Sequence, residues 1–243
     1  MQREEPALDT VDLLWRNHAP RPARRGRRPK RTTDHVVAAA IAVADRRGLS
    51  FTLREVAEES GTPVMSLYSY VDGREQLLEL MVDQCRIDMA HTGLSGGWTE
   101  RLTTVASDNM RLFADHPWLA EVESERAILG PGTMTKYERE LAAVQPLPIP
   151  DAERDAALTL VLDFVRSSAR AQAHARRERE QETPEQWWGR EGAKLERLGV
   201  TDRFPLAARI GTASGRAQNA ANDADAAYEF GLRVIFDGLA SRR

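Results

Sequence analysis

Apolar positions recur at three- and four-residue intervals from residue 33 to the C-terminus, with polar residues between them, the spacing of one buried side of an α-helix. Val36, Val37, Ala40, Ile41 and Ala44 trace the first stripe; Thr33 is its expected cap and Gly48 its stop. Thr52 and Glu55, three residues apart, form a capping box, in which hydroxyl and carboxylate each satisfy a backbone N–H that the first turn leaves unpaired. This predicts a helix from about Leu53 that buries Val56 and Ala57 and ends at Gly61, since glycine takes a left-handed terminus without strain. Thr62 as cap and Pro63 at the first helical position predict a second short helix, Val64 to Tyr70. Leu67 and Val71 lie on its inner side; Met65, Ser66, Ser69 and Tyr70 face outward. Two short helices joined by such a Gly-containing turn form a helix-turn-helix, whose second helix fits a DNA major groove. The same signals also suit an ordinary hairpin in a helical protein.

The pattern continues. Asp72, with Glu75 three residues on, predicts the cap of a helix carrying Leu77, Leu78, Met81, Val82 and Cys85 toward Met89, ending near Gly93. Gly96-Gly97 reads as a hinge between domains. Trp98 to His116 carries Leu102, Val105, Ala106, Met110 and Phe113 on one stripe, and Pro117 ends it. Residues 120–145 read as two shorter helices broken at Gly130-Pro131-Gly132, and Pro146, Pro148 and Pro150 mark a surface connection. Asp151 to about Arg179 is the longest periodic stretch, with Ala157, Leu160, Val161, Phe164, Val165, Ser168, Ala171, Gln172 and Ala175 on its inner stripe. Thr183-Pro184-Glu185-Gln186 starts a helix through Trp187 and Trp188 toward Leu198, and residues 211–222 are poorly specified and read as a loop. The last helix, Asp223 to about Leu239, is apolar on two sides and therefore needs two partners, its own core and a second subunit.

Composition narrows the class. Of 243 residues, 42% are hydrophobic, 29% charged and only 6% aromatic, and no alternating β-branched run appears, so an all-α fold is expected. The net charge of −3 hides a local bias, because residues 13–33 hold no acid but contain Arg16, Arg21, Arg24, Arg25, Arg27, Arg28, Lys30 and Arg31. Residues 19–31 carry too many prolines and like charges to fold alone and form either a solvated linker or an arm that meets DNA. The short apolar cluster before it, Val11 to Trp15, either docks as a short helix or stays loose. One cysteine, Cys85, excludes an intramolecular disulfide and a cysteine-cluster metal site, and its apolar setting favours a small core residue over a sensor thiol. No apolar run reaches the roughly 20 residues of a membrane span, and the acidic N-terminus is unlike a secretory signal, so the expected location is cytoplasmic.

From Gly48 to Val82 the chain resembles the DNA-binding domain of TetR-family transcriptional regulators. Leu67-Tyr68-Ser69-Tyr70-Val71 looks like the family's recognition-helix ending, and Gly73-Arg74-Glu75-Gln76-Leu77-Leu78 like the start of its connecting helix. Gly97-Trp98, His116-Pro117-Trp118-Leu119 and Leu129-Gly130-Pro131-Gly132 resemble the C-terminal domain of the tetracycline-repressor branch. The resemblance implies a helix-turn-helix domain and a larger helical bundle for ligand binding and dimerisation. The expected division is a basic extension over 1–32, a DNA-binding domain over 33–92 and a ligand-binding and dimerisation domain over 93–243. It implies a ligand-responsive regulator, a repressor that binds a palindromic operator as a dimer and is released by a small hydrophobic effector. The alternative is a helical small-molecule-binding or interaction protein without operator binding.

The expected DNA contacts follow. Met65, Ser66 and Ser69 suit base edges, while Tyr68 and Tyr70 look like the family's aromatic pair on the sugar-phosphate backbone. Arg54 matches a position that reaches a base or phosphate, and Arg74 matches the family's phosphate-binding lysine. Thr62, at the turn, and Arg27, Arg28 and Lys30, in the arm, complete the set. For the effector, the resemblance places a pocket in the second domain, with Met110, Phe113, His116, Trp118, Met134, Tyr137, Phe164, His174, Trp187 and Trp188 as candidate walls. Each also suits plain packing. The histidines that hold a drug–magnesium complex in tetracycline repressor do not map, His91 missing by a residue, so neither tetracycline nor a metal or other cofactor is expected. The homodimer is expected to form through 151–179 and 223–239. The chain carries no phosphate loop, metal-spaced cluster or nucleophile elbow, which argues against an enzyme.

Overall fold

Asp9 accepts the Asp12 N–H at 3.1 Å and starts α1, Thr10–Leu14, in a computed structural model that describes residues 9–18, 32–123, 126–218 and 223–242. The short N-terminal cluster is therefore docked: Leu14 is buried and the Trp15 indole donates to the Leu129 carbonyl at 2.8 Å. Arg27, Arg28 and Lys30 lie outside the described residues. In α2, Thr33–Arg47, the cap is Thr32 rather than Thr33; its hydroxyl accepts from the His35 N–H at 3.3 Å. α3, Leu53–Ser60, has the expected capping box, with Thr52 N–H to Glu55 at 2.8 Å and Glu55 N–H to Thr52 at 3.3 Å. Gly61, at φ 59°, closes it: its own N–H reaches the Glu58 carbonyl and the Thr62 N–H the Ala57 carbonyl. This double return is the Schellman arrangement.

The second helix of the motif is shorter than expected. α4 spans Val64–Leu67, and Tyr68 to Tyr70 continue as turn, with Ser69 and Tyr70 N–H groups bonded three residues back. Three-residue closure is the tighter winding common at helix ends. Pro63 stands before the first helical residue, and Thr62 does not cap, because its Oγ1 is buried without a partner. α5, Arg74–Asp88, follows Gly73 rather than an Asp72 cap; Asp72 instead donates its backbone N–H to the Gln76 side chain at 2.8 Å.

Two units divide the chain at Leu158/Thr159. In the first, Val36, Val37 and Ala40 of α2, Val56 of α3, Leu67 of α4 and Leu77 and Met81 of α5 are fully buried. Each larger side chain contributes about 1.5–3 kcal/mol by leaving water. The same core runs past residue 92, taking in Leu112 of α6 (Trp98–Asp115), Trp118 and Leu119 of the 3₁₀ turn Pro117–Glu121, and Ile128. Where two short helices were expected over 120–145 there is a single α-helix, α7, Pro131–Val144. Pro131 opens a helix instead of breaking one, because a first-turn proline lacks only an N–H that would be unpaired anyway. α8, Asp151–Gln181, begins after the expected proline connection.

In the second unit, Val161, Val165, Ser168 and Ala169 of α8 are buried, whereas Leu160, expected on the inner stripe, is half exposed. α9, Pro184–Arg197, opens on the expected Thr183/Gln186 capping box, and α10, Val200–Arg203, follows Gly199. Pro205–Gln218 is helical, α11, where the sequence reads as a loop from 211. Glycine and serine lower helix propensity by about 1 kcal/mol or less per residue, a penalty that does not prevent a proline-started helix here. α12, Ala224–Ala240, is capped by Asp223, buries Leu232, Phe236 and Leu239, and stacks Tyr228 on Phe164 of α8 with ring centroids 6.0 Å apart. Among the described residues every regular element is helical, and no helix is long and apolar enough to cross a membrane.

Candidate nucleic-acid interface

Leu67 and Val71 are driven into the core, and that burial turns the other side of the segment outward. Met65 is 80% exposed and Tyr68 50%, and Ser66 and Ser69 are exposed between them. The ridge mixes one thioether, two hydroxyls and one phenol, able respectively to touch a thymine methyl, bond base edges and pack on a sugar-phosphate chain. Tyr70 is half-buried and packs against the core, less outward than the sequence pattern suggests. Arg54 stands exposed in the first turn of α3, loosely paired with Glu58 at 3.3 Å. That pair is almost fully solvated and worth little, so the guanidinium is available to another anion. Sequence reasoning missed His35 of α2, whose Nε2 lies 3.0 Å from the Ser60 carbonyl. Because a carbonyl only accepts, that nitrogen carries the hydrogen and ties α2 to the end of α3.

Two candidate contacts are placed otherwise. Thr62 is 3% exposed and offers nothing to a ligand. The turn that brings its N–H back to Ala57 carries its side chain inward. Arg74 is half-buried: Nε donates to the Phe51 carbonyl at 3.3 Å, Nη2 donates to the Leu49 carbonyl, and the guanidinium carbon lies 4.6 Å from the Phe51 ring centroid. Its position in sequence suggested a phosphate contact; its partners are internal.

The candidate effector residues divide by unit. In the first unit, Trp118 is buried and donates its indole N–H to Asp45 of α2 at 2.8 Å, and His116 Nδ1 lies 2.8 Å from the same oxygen. Phe113 packs on the shared core. His116 and Trp118 thus tie the residues that follow α6 to α2. Met110 is half-buried, Met134 is exposed, and Tyr137 donates its hydroxyl to Asp155 at 2.7 Å. In the second unit Phe164 is half-buried against Tyr228, His174 is exposed, and Trp187 and Trp188 form an exposed edge-to-face pair at 5.0 Å.

A buried polar system joins α5, α6 and α7, which the helical stripes did not reveal. Asp83 of α5 accepts from Gly132 N–H at 3.2 Å, Thr133 N–H at 2.8 Å and the Thr133 hydroxyl at 3.0 Å, and so caps α7. A Cβ on Gly132 would stand 2.3 Å from the Asp83 carbonyl oxygen, so only glycine allows this approach. Asp108 of α6 accepts from Thr92 and from Arg139 of α7. Glu140 accepts from Lys136 at 2.5 Å and Asn109 at 2.7 Å. Burial, countered by the Glu140 carboxylate, holds the Lys136 ammonium below the usual lysine range.

Comparison with known proteins places this geometry in a family. Residues 93–243 match the family model described as "Tetracyclin repressor-like, C-terminal domain". Over 237 residues the chain is 35% identical to the HTH-type transcriptional repressor DrrR1 of Streptomyces coeruleorubidus, covering 95% of this chain and 84% of that protein. It resembles the TetR family protein ActR of Streptomyces coelicolor in complex with actinorhodin, with a TM-score of 0.70 and 26% identity over 88% of this chain and 98% of that one. BioQ with its natural double-stranded DNA operator shares the fold, with a TM-score of 0.56 and 18% identity over 88% of this chain and 100% of that one. A chain with this second domain, behind a helix-turn-helix whose outer ridge is exposed, belongs to the TetR family of transcriptional regulators.

Proposed function

We propose that this regulator is a repressor that binds a palindromic operator as a homodimer and is released by a small hydrophobic effector. The observation that carries the reading is the exposed Met65–Tyr68 ridge backed by buried Leu67 and Val71. Met65, Ser66 and Ser69 read base edges, and Arg54, Tyr68 and Tyr70 hold the backbone. DrrR1, a relative across most of the chain, is a repressor by name, and ActR was solved with actinorhodin, a small molecule. The helix-turn-helix occupies 33–92 and the effector domain 93–243, in which Met110, Met134, Tyr137, Phe164, His174 and Trp187 are the candidate walls. Dimerisation through 151–179 and 223–239 would cover the apolar residues that α8 and α12 leave in water, Leu160, Phe230 and Val234. Two recognition helices would then stand about 34–36 Å apart, one turn of duplex.

The test is a mobility-shift titration with the duplex upstream of the protein's own gene. Binding should weaken steeply with salt as condensed counterions are displaced, and Tyr68→Ala should weaken it with the dimer and melting curve unchanged. Absence of binding at low salt to that duplex and to every member of a random duplex pool would refute the reading.

A further inference from the structure

We infer that Arg74 is a positioning residue for operator recognition and not a phosphate contact; the inference rests on the DNA-binding reading above. Arg74 is the first residue of α5. Its side chain leaves that helix backward, into the segment that connects α2 to α3. There it meets three features at once: the Leu49 carbonyl, the Phe51 carbonyl and the face of the Phe51 ring, 4.6 Å from the guanidinium carbon. Phe51 itself is 2% exposed and adjoins Thr52, the cap of α3. The guanidinium therefore ties the start of α5 to the start of α3, the two elements that flank α4 in sequence.

Only a planar, forked cation suits these partners. Two donors diverge to carbonyls two residues apart while the flat face rests on an aromatic ring. A lysine would keep the charge and could still reach a phosphate, but its three N–H groups radiate from one nitrogen and it has no flat face, so it cannot reproduce the two separated donors and the ring contact together. Loss of the brace lets the start of α3 and the α4 ridge shift together relative to α5, which misaligns base contacts while leaving phosphate attraction nearly intact.

The experiment compares the full-length wild type, Arg74→Lys, Arg74→Gln and Phe51→Leu. Each is titrated, as folded fraction, against an operator duplex selected from a random pool and against a scrambled duplex of equal length, over a series of salt concentrations. Arg74→Lys should bind the selected duplex about ten-fold more weakly, roughly the loss of one base contact. Its affinity for the scrambled duplex and its salt slope should be unchanged. Phe51→Leu, which alters no charge, should show the same fall in the selected-to-scrambled ratio, a change that lower stability alone would not produce once folded fraction is corrected. Arg74→Gln should keep the wild-type salt slope. Wild-type affinity in Arg74→Lys, or a slope in Arg74→Gln smaller by about 0.9, the value of one lost phosphate contact, overturns the inference. Wild type that binds neither duplex refutes the DNA-binding reading itself, an outcome distinct from either of these.

Discussion

Replacing Asp83 by Asn probes the joint between α5 and α7 with almost no change of shape. Asp83 is 2% exposed, and its two oxygens divide the work: Oδ1 serves the Thr133 N–H and hydroxyl, Oδ2 the Gly132 N–H. Asn keeps one oxygen for Thr133 but turns an NH₂ toward the Gly132 N–H, donor against donor. The loss of one charge-assisted hydrogen bond costs about 1.5–3 kcal/mol. Removing the negative charge from the N-terminus of α7 adds about 0.3–1 kcal/mol. A total near 3 kcal/mol is a large part of a stability of about 5–15 kcal/mol. Urea unfolding followed by far-UV circular dichroism should move the midpoint down with the slope retained. Gly132→Ala attacks the same joint from the other side, where its Cβ would meet the Asp83 carbonyl oxygen at 2.3 Å. The double variant should lose less than the sum, since the second change acts on a joint already opened. A loss under about 1 kcal/mol for Asp83→Asn, or strict additivity, would refute the claim that Asp83 holds α7.

Three further outcomes are expected. Thr62→Val removes a buried hydroxyl that has no partner and should raise stability by about 1 kcal/mol with DNA affinity unchanged, measured by melting and mobility shift; weakened binding would restore Thr62 to the interface. Lys136→Met strands Glu140 and should cost about 3 kcal/mol, most of it recovered in Lys136→Met/Glu140→Met. Because the folded state lowers the Lys136 pKa, the unfolded chain holds that proton more firmly. Wild-type stability should therefore rise with pH from the lowered value up to the ordinary lysine value near about 10.4, and Lys136→Met should lack that rise. Cys85 is buried, and burial first, then Asp45 and Asp88, pushes its thiol up to about 12. Ellman's reagent at pH 8 should find it only after unfolding, and rapid labelling of the native protein would contradict that placement.

What the chain determines on its own is what neighbours in sequence can decide. Thr52 and Glu55 satisfy each other's N–H groups across one turn, Gly61 turns left-handed where a Cβ would be strained, and Leu67 and Val71, four apart, leave Met65, Ser66 and Ser69 outside, although Tyr70, expected beside them, is half-buried and Tyr68 is exposed in its place. Those interactions span a turn or two of helix, so the motif, its family resemblance and its exposed ridge are legible before any packing is known. Tertiary structure decides the rest, because it depends on partners far away in the chain. Arg74 reads as a surface cation until the Leu49 and Phe51 carbonyls are brought to it. Trp118 suits a ligand pocket until Asp45, some seventy residues earlier, takes its indole N–H. Asp83 interrupts an apolar stripe without explanation until α7 arrives with Gly132 and Thr133. A buried polar group must find a partner wherever the fold supplies one, and helical periodicity records which side of a helix is covered, not what covers it.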